Sequence, residues 1–128
     1  MRSLTSGEIL EKVSDSSIQK ANSSAWKLFI LAVLAGAFIA FGANGSMTVS
    51  FGLVSDPATF GIGKLVSAVV FPVGLMMVVL CGAELFTGNN LMIIGLLDGK
   101  IKVSGMLRNW IIVYIGNMAG SVLIALLI

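Results

Sequence analysis

From Leu65 to Leu97 the chain runs for 33 residues with one charged side chain, Glu84. That residue sits among turn formers, in Cys81-Gly82-Ala83-Glu84-Leu85-Phe86-Thr87-Gly88-Asn89-Asn90. One membrane crossing needs about 20 apolar residues, so the run is too long for a simple span. It is also too polar at one point to be a continuous one. Irregular backbone at membrane depth is tolerated only where protein buries it or where it lines a solvated cavity. The pattern predicts a helix broken halfway across the bilayer, in a chain that moves something across a membrane.

Composition agrees. Of the 128 residues 57% are hydrophobic and 11% charged, with a mean hydropathy of +1.03. Soluble domains average about 25% charged residues, so an integral membrane protein is the class that fits. The formal net charge of +2 is not arranged as a nucleic-acid footprint. A single cysteine, Cys81, excludes an internal disulfide and a cysteine-rich metal site; it reads as a small buried hydrophobe. Histidine, the commonest metal ligand and the readiest proton exchanger near neutral pH, is absent. No catalytic triad, phosphate-cradling loop or basic-aromatic stripe is present, so the chain is read as no enzyme, without cofactor, metal or nucleic-acid partner.

Residues 1–25 read as an N-terminal cytoplasmic or interfacial amphipathic helix, and residues 26–128 as a three-crossing membrane half-domain. Thr5-Ser6-Gly7-Glu8 has capping-box spacing, so a helix begins near Ser6. It would lie along the membrane surface or against a neighbouring subunit, or else be a solvated tail. Met1 to Lys27 has no apolar run of the signal-peptide kind. The first crossing runs from Trp26, an interfacial anchor, to about Gly45, with Ala32, Gly36 and Ala40 giving a small-residue face for close packing. Residues 45–63 read as loop material, with room for a short re-entrant piece. The broken crossing opens at Lys64, with Pro72 able to kink it. Its second part, Asn89 to Leu97, is about 13 Å of helix. The third crossing is Trp110 to Ile128, with a Gly116-x3-Gly120 pair. Arg2, Lys12, Lys20 and Lys27 precede the first crossing, and Lys100, Lys102 and Arg108 precede the third. The positive-inside bias therefore puts the N-terminus in the cytoplasm. Three crossings is an odd number, so a similar second half would enter inverted.

A buried carboxylate at Glu84 costs about 3 kcal/mol on insertion scales. It either handles protons and anions, or receives the orphan amides of the broken segment and so holds the turn. Thr87, Asn89 or Asn90 can cap the half-helix that follows, whose positive dipole end suits an anion. Thr87 is the candidate for substrate contact. Gly82, Gly88, Asn89 and Asn90 join Glu84 as loop-shaping candidates. Phe71, Leu75, Leu85 and Phe86 are either packing or a hydrophobic constriction that gates by dewetting.

At Cys81 to Asn89 the sequence resembles the formate–nitrite transporter family of formate, nitrite and hydrosulfide channels. Leu34 to Ala43, Gly74-Leu75, Asn109-Trp110 and Val113 to Asn117 resemble it further, in the expected order. The resemblance implies an all-α integral membrane fold, one half of an aquaporin-like inverted-repeat channel, assembled as a homopentamer with a pore in each subunit. By that similarity Leu85 and Phe86 help form the cytoplasmic constriction, Thr87 faces the central chamber, and Leu75 and Phe71 lie near the outer constriction. Family members have six crossings; the second half, with its pore histidine, is absent here. Truncation is preferred over copies that rebuild the missing half. The reading is a channel for small monovalent anions (formate, nitrite or hydrosulfide) in a bacterial inner membrane. Its rivals are a non-conducting membrane scaffold and an aquaporin-like facilitator of neutral solutes.

Overall fold

The computed structural model describes residues 3–128, and Arg2, counted above among the basic residues, lies outside them. Helix α1 (Ser6–Asn22) opens as its spacing predicts. Thr5 is the N-cap: its hydroxyl accepts from the Glu8 amide at 3.3 Å, and the Glu8 carboxylate accepts from the Thr5 amide at 2.7 Å. A turn at Ser23-Ser24 leads into α2 (Ala25–Ser55), a helix of 31 residues and so about 46 Å long.

Helix α2 overruns its expected end at Gly45 by ten residues, and most of the expected 45–63 loop is helical. Glycine costs a helix about 1 kcal/mol, less than the several kcal/mol of unpaired backbone in lipid. Hydroxyls also find partners within the helix, as Ser50 donates to the Ser46 carbonyl at 2.8 Å and Thr48 to that of Asn44 at 2.8 Å. The turn shrinks to residues 56–59, where Asp56 accepts from the Ala58 amide at 2.9 Å. Ser46 and Ser67 share a hydrogen bond of 2.6 Å, which ties α2 to α3 (Phe60–Val70).

Helices α3 and α4 (Pro72–Leu80) form one run, divided at Phe71, with Pro72 as the first residue of α4. The chain then unwinds over residues 81–85, as the sequence predicts. Helix α5 (Phe86–Asn89) and helix α6 (Met92–Leu97) resume it, three residues before the expected start at Asn89. Helix α7 (Val103–Leu127) begins seven residues before Trp110 and takes in Arg108 and Asn109, which read as loop. Apolar burial explains its early start: Met106 and Ile101 pack with Met92 in a core cluster. Among the described residues there is no strand. Ala25–Ser55, Phe60–Leu80 and Val103–Leu127 are each long and apolar enough to cross a membrane, and Phe86–Leu97 is a shorter apolar stretch. The protein is an all-helical membrane protein.

The small-residue faces of α2 and α7 meet each other. A Cβ at Gly36 would strike the Asn117 backbone, and one at Gly120 the Val33 carbonyl. One at Gly116 would come within 2.5 Å of Ala32 Cβ. Helices α2 and α7 therefore pack backbone to backbone, around a core of Leu28, Ala32 and Val113. Gly42 and Gly74 do the same for α2 and α4. Helix α1 lies on its own chain: a Cβ at Gly95 of α6 would come within 2.5 Å of Ser17. Ser14 donates to Asp98 at 2.5 Å and Lys100 to Asp15 at 2.7 Å. That bond to Asp15 raises the Lys100 pKa above its ordinary value.

Two cross-links fix the break against its neighbours. The Glu84 amide bonds the Leu31 carbonyl at 3.2 Å, and Asn117 bonds the Glu84 carbonyl at 2.9 Å. Leu31 is five residues beyond Trp26, and Asn117 seven beyond Trp110. If these tryptophans mark the interface, the break lies about 8 to 10 Å inside a core about 30 Å thick.

Candidate functional site

Two glycines build the broken segment. Gly82 has φ +63°, the left-handed region open to glycine at little cost. Its amide bonds the Val79 carbonyl at 3.3 Å, and the Ala83 amide bonds the Val78 carbonyl at 3.0 Å. This is the Schellman pair that terminates a helix. The same pair closes α6, where Gly99 has φ +70°, its amide bonds Leu96 at 3.0 Å and the Lys100 amide bonds Gly95 at 2.9 Å. Between these stops the chain must turn back into a helix inside an apolar layer, and each polar backbone group needs a partner.

Asn117 of α7 supplies those partners. Its side-chain carbonyl accepts from the Phe86 amide at 2.9 Å, capping α5 from outside. Its amide nitrogen donates to the Glu84 carbonyl at 2.9 Å and to the Ala32 carbonyl at 2.8 Å. One side chain thus holds the break, the half-helix and α2 in register. The sequence reading missed this residue, although a lone asparagine inside an apolar crossing is a signal in itself.

Several expected roles change. The Glu84 carboxylate does not receive the orphan amides: that of Phe86 goes to Asn117, and those of Gly82, Ala83 and Glu84 go to backbone carbonyls. It pairs instead with the Lys20 ammonium of α1 at 2.5 Å. Thr87, Asn89 and Asn90 do not cap the half-helix, because its N-cap position is Leu85 and the cap comes from α7. Cys81 is exposed rather than buried. Asn89 is 1% exposed and works as a junction: its side chain accepts from Lys20 at 2.8 Å and donates to Asn109 at 2.8 Å. Its backbone carbonyl accepts from the Trp110 ring nitrogen at 2.9 Å. Asn109 returns to the Lys20 carbonyl at 3.1 Å. Burying these polar groups would cost several kcal/mol without such pairing; here no buried side-chain polar atom among the described residues lacks a partner.

The break opens on a recess of about 540 Å³. Its walls bring together Leu75, Gly82, Glu84, Leu85, Thr87, Gly88 and Asn89, with Lys20 from α1. Phe71, Phe86 and Asn90 lie outside this lining. The Phe86 ring packs edge-on against Trp110 and Tyr114, at centroid distances of 6.1 and 5.5 Å. Thr87 is exposed to the recess, on the first turn of α5, where amides still lack helical partners. A small anion placed there meets a hydroxyl and apolar walls. The one carboxylate nearby is already neutralised by Lys20.

The formate/nitrite transporter family matches residues 7–128. The chain is 44% identical over 100 residues to a probable formate transporter of Methanothermobacter thermautotrophicus, covering 77% of this chain and 36% of that protein. It is 37% identical over 125 residues to the formate channel FocA of Haemophilus influenzae, covering 98% and 43%. It is 38% identical over 121 residues to the uncharacterised transporter YrhG of Bacillus subtilis, covering 92% and 44%. The chain thus spans about two-fifths of the length of these curated relatives.

Proposed function

Because the chain belongs to the formate/nitrite transporter family, we propose that it forms part of a pathway carrying small monovalent anions across a membrane. Formate is the first substrate to test, since relatives at 44% and 37% identity are named for formate; nitrite and hydrosulfide share its size and charge. The observation that carries the reading is the recess at the broken helix, with Thr87 on its wall and Glu84 neutralised by Lys20. Unpaired, that carboxylate would repel an anion by about 4 kcal/mol at 4 Å in a medium of effective dielectric 20.

An entering anion sheds water between apolar walls and is met by the Thr87 hydroxyl and the positive end of the half-helix. Leu75 and Leu85 narrow the passage, and Phe71 and Phe86 complete its constrictions in the assembled protein. Gly82, Gly88, Asn89 and Asn90 shape the loop with Glu84. The assembly is a homopentamer in a bacterial inner membrane. A second, inverted half faces the recess, and residues 1–25 lie on the cytoplasmic side of the 26–128 membrane unit. The work is transport, not catalysis.

The test is anion flux in proteoliposomes, using the protein as its host makes it. Thr87→Val should lower formate flux about tenfold, the loss expected when a hydrogen bond to a charged group disappears, and Leu85→Ala should change the rate by widening the passage. Flux unchanged in both variants would overturn the site. Glycerol or water flux without anion flux would overturn the substrate class.

A further inference from the structure

A second hollow, of about 300 Å³, lies on the other side of the Lys20–Glu84 pair. Ser16 and Gln19 of α1, Ser23 of the turn after it, Lys27 of α2 and Gly82 of the break line it. Lys20, Gly82 and Glu84 also line the main recess, so the ion pair is a partition between two spaces. The last turn of α1 and the first turn of α2 both face this hollow, with dipole ends of opposite sign, so side chains set the field. Lys20 is offset by Glu84 at 2.5 Å. The Lys27 ammonium has no hydrogen bond or ion pair among the described residues, and neither does the Gln19 amide. The hollow therefore carries one unopposed positive charge and a free amide donor.

Resting on the function proposed above, we propose that this hollow is a side entrance between α1 and α2 in which the permeant monovalent anion collects before passing the Lys20–Glu84 partition. Lys27 is its collecting charge. Anions reach the break along the flank of α1, with the contacts of Ser14, Asp15 and Ser17 to the rest of the chain intact. With Glu84 offset by Lys20, the charge of Lys27 raises the local concentration of anions, and added salt screens that gain over about 10 Å at 0.1 M.

The test replaces Ser23 with cysteine in a Cys81→Ser background, whose own formate flux in proteoliposomes sets the baseline. Thiosulfonates of matched size, one carrying a sulfonate and one a quaternary ammonium, are applied from the face that bears α1. The sulfonate should slow formate flux about fivefold, and the ammonium should leave it equal or faster. Lys27→Glu, without reagent, should slow flux about fivefold at low ionic strength and less than about twofold at roughly 0.5 M salt. Equal responses to both reagents, no response to either, or a Lys27→Glu effect independent of salt would each overturn the side entrance alone. A background protein without anion flux would overturn the proposed function as well.

Discussion

Asn117 stabilises the break with a single side chain whose hydrogen-bonding capacity is divided among Phe86, Glu84 and Ala32. Replacing it with alanine strands one amide and two carbonyls in an apolar layer. Interhelical hydrogen bonds in membranes average about 0.6 kcal/mol, with about 1.7 at most, so Asn117→Ala should cost about 2 kcal/mol in all. The apparent melting temperature in detergent should fall by several degrees, while Thr87→Ala, whose hydroxyl holds nothing in the fold, should leave it unmoved. Equal melting of the two variants would remove Asn117 from this role. The sequence made Glu84 conspicuous, because a carboxylate in an apolar run demands a partner. It could not show which partner, since Lys20 lies 64 residues away on another helix. Nor could it show that Asn89 turns inward to Lys20 and Asn109 instead of capping the helix it sits on. Local spacing finds caps from within a segment, and this cap comes from α7.

At the scale of helices, pattern carried the Thr5–Glu8 start of α1, the break at Gly82 and the small faces of α2 and α7. Each is written in neighbouring residues: a capping box, a glycine beside a carboxylate, small side chains four apart. The boundaries of α2 and α7 were lost because glycine, serine and asparagine are turn formers in water. In lipid the cost of unpaired backbone keeps them helical. The α2–α7 contact depends on the missing Cβ at Gly120, which would meet the Val33 carbonyl and lie 2.9 Å from the Ala37 amide. Gly120→Leu should therefore force the helices apart and cost more than about 3 kcal/mol, beyond ordinary overpacking. Gly52→Ala meets nothing within 4 Å and should be neutral or slightly favourable. The yield of monodisperse protein on size exclusion separates them; a well-behaved Gly120→Leu would show that the two helices do not need this approach.

For the molecule as a whole, hydropathy reported how many crossings there are but not how they are staggered. Stagger is set by a few cross-links, Glu84 to Leu31 and Asn117 to Glu84. The same packing brings Lys20 of α1 within reach of the Glu84 carboxylate. It also leaves two spaces flanking their ion pair, the recess bearing Thr87 and the hollow bearing Lys27. The transport reading depends on the break being wet and non-helical while its surroundings are in lipid. The direct measurement is a nitroxide scan from Leu75 to Leu97 in the protein reconstituted in bilayers, comparing collisions with oxygen and with a water-soluble nickel chelate. The account predicts that the helical period of about 3.6 residues is lost over residues 81–85 and resumes out of phase. It also predicts nickel access at Thr87 flanked by oxygen-favoured positions such as Met76 and Leu80. One unbroken helical period through Gly82, with Thr87 closed to the chelate, would contradict it.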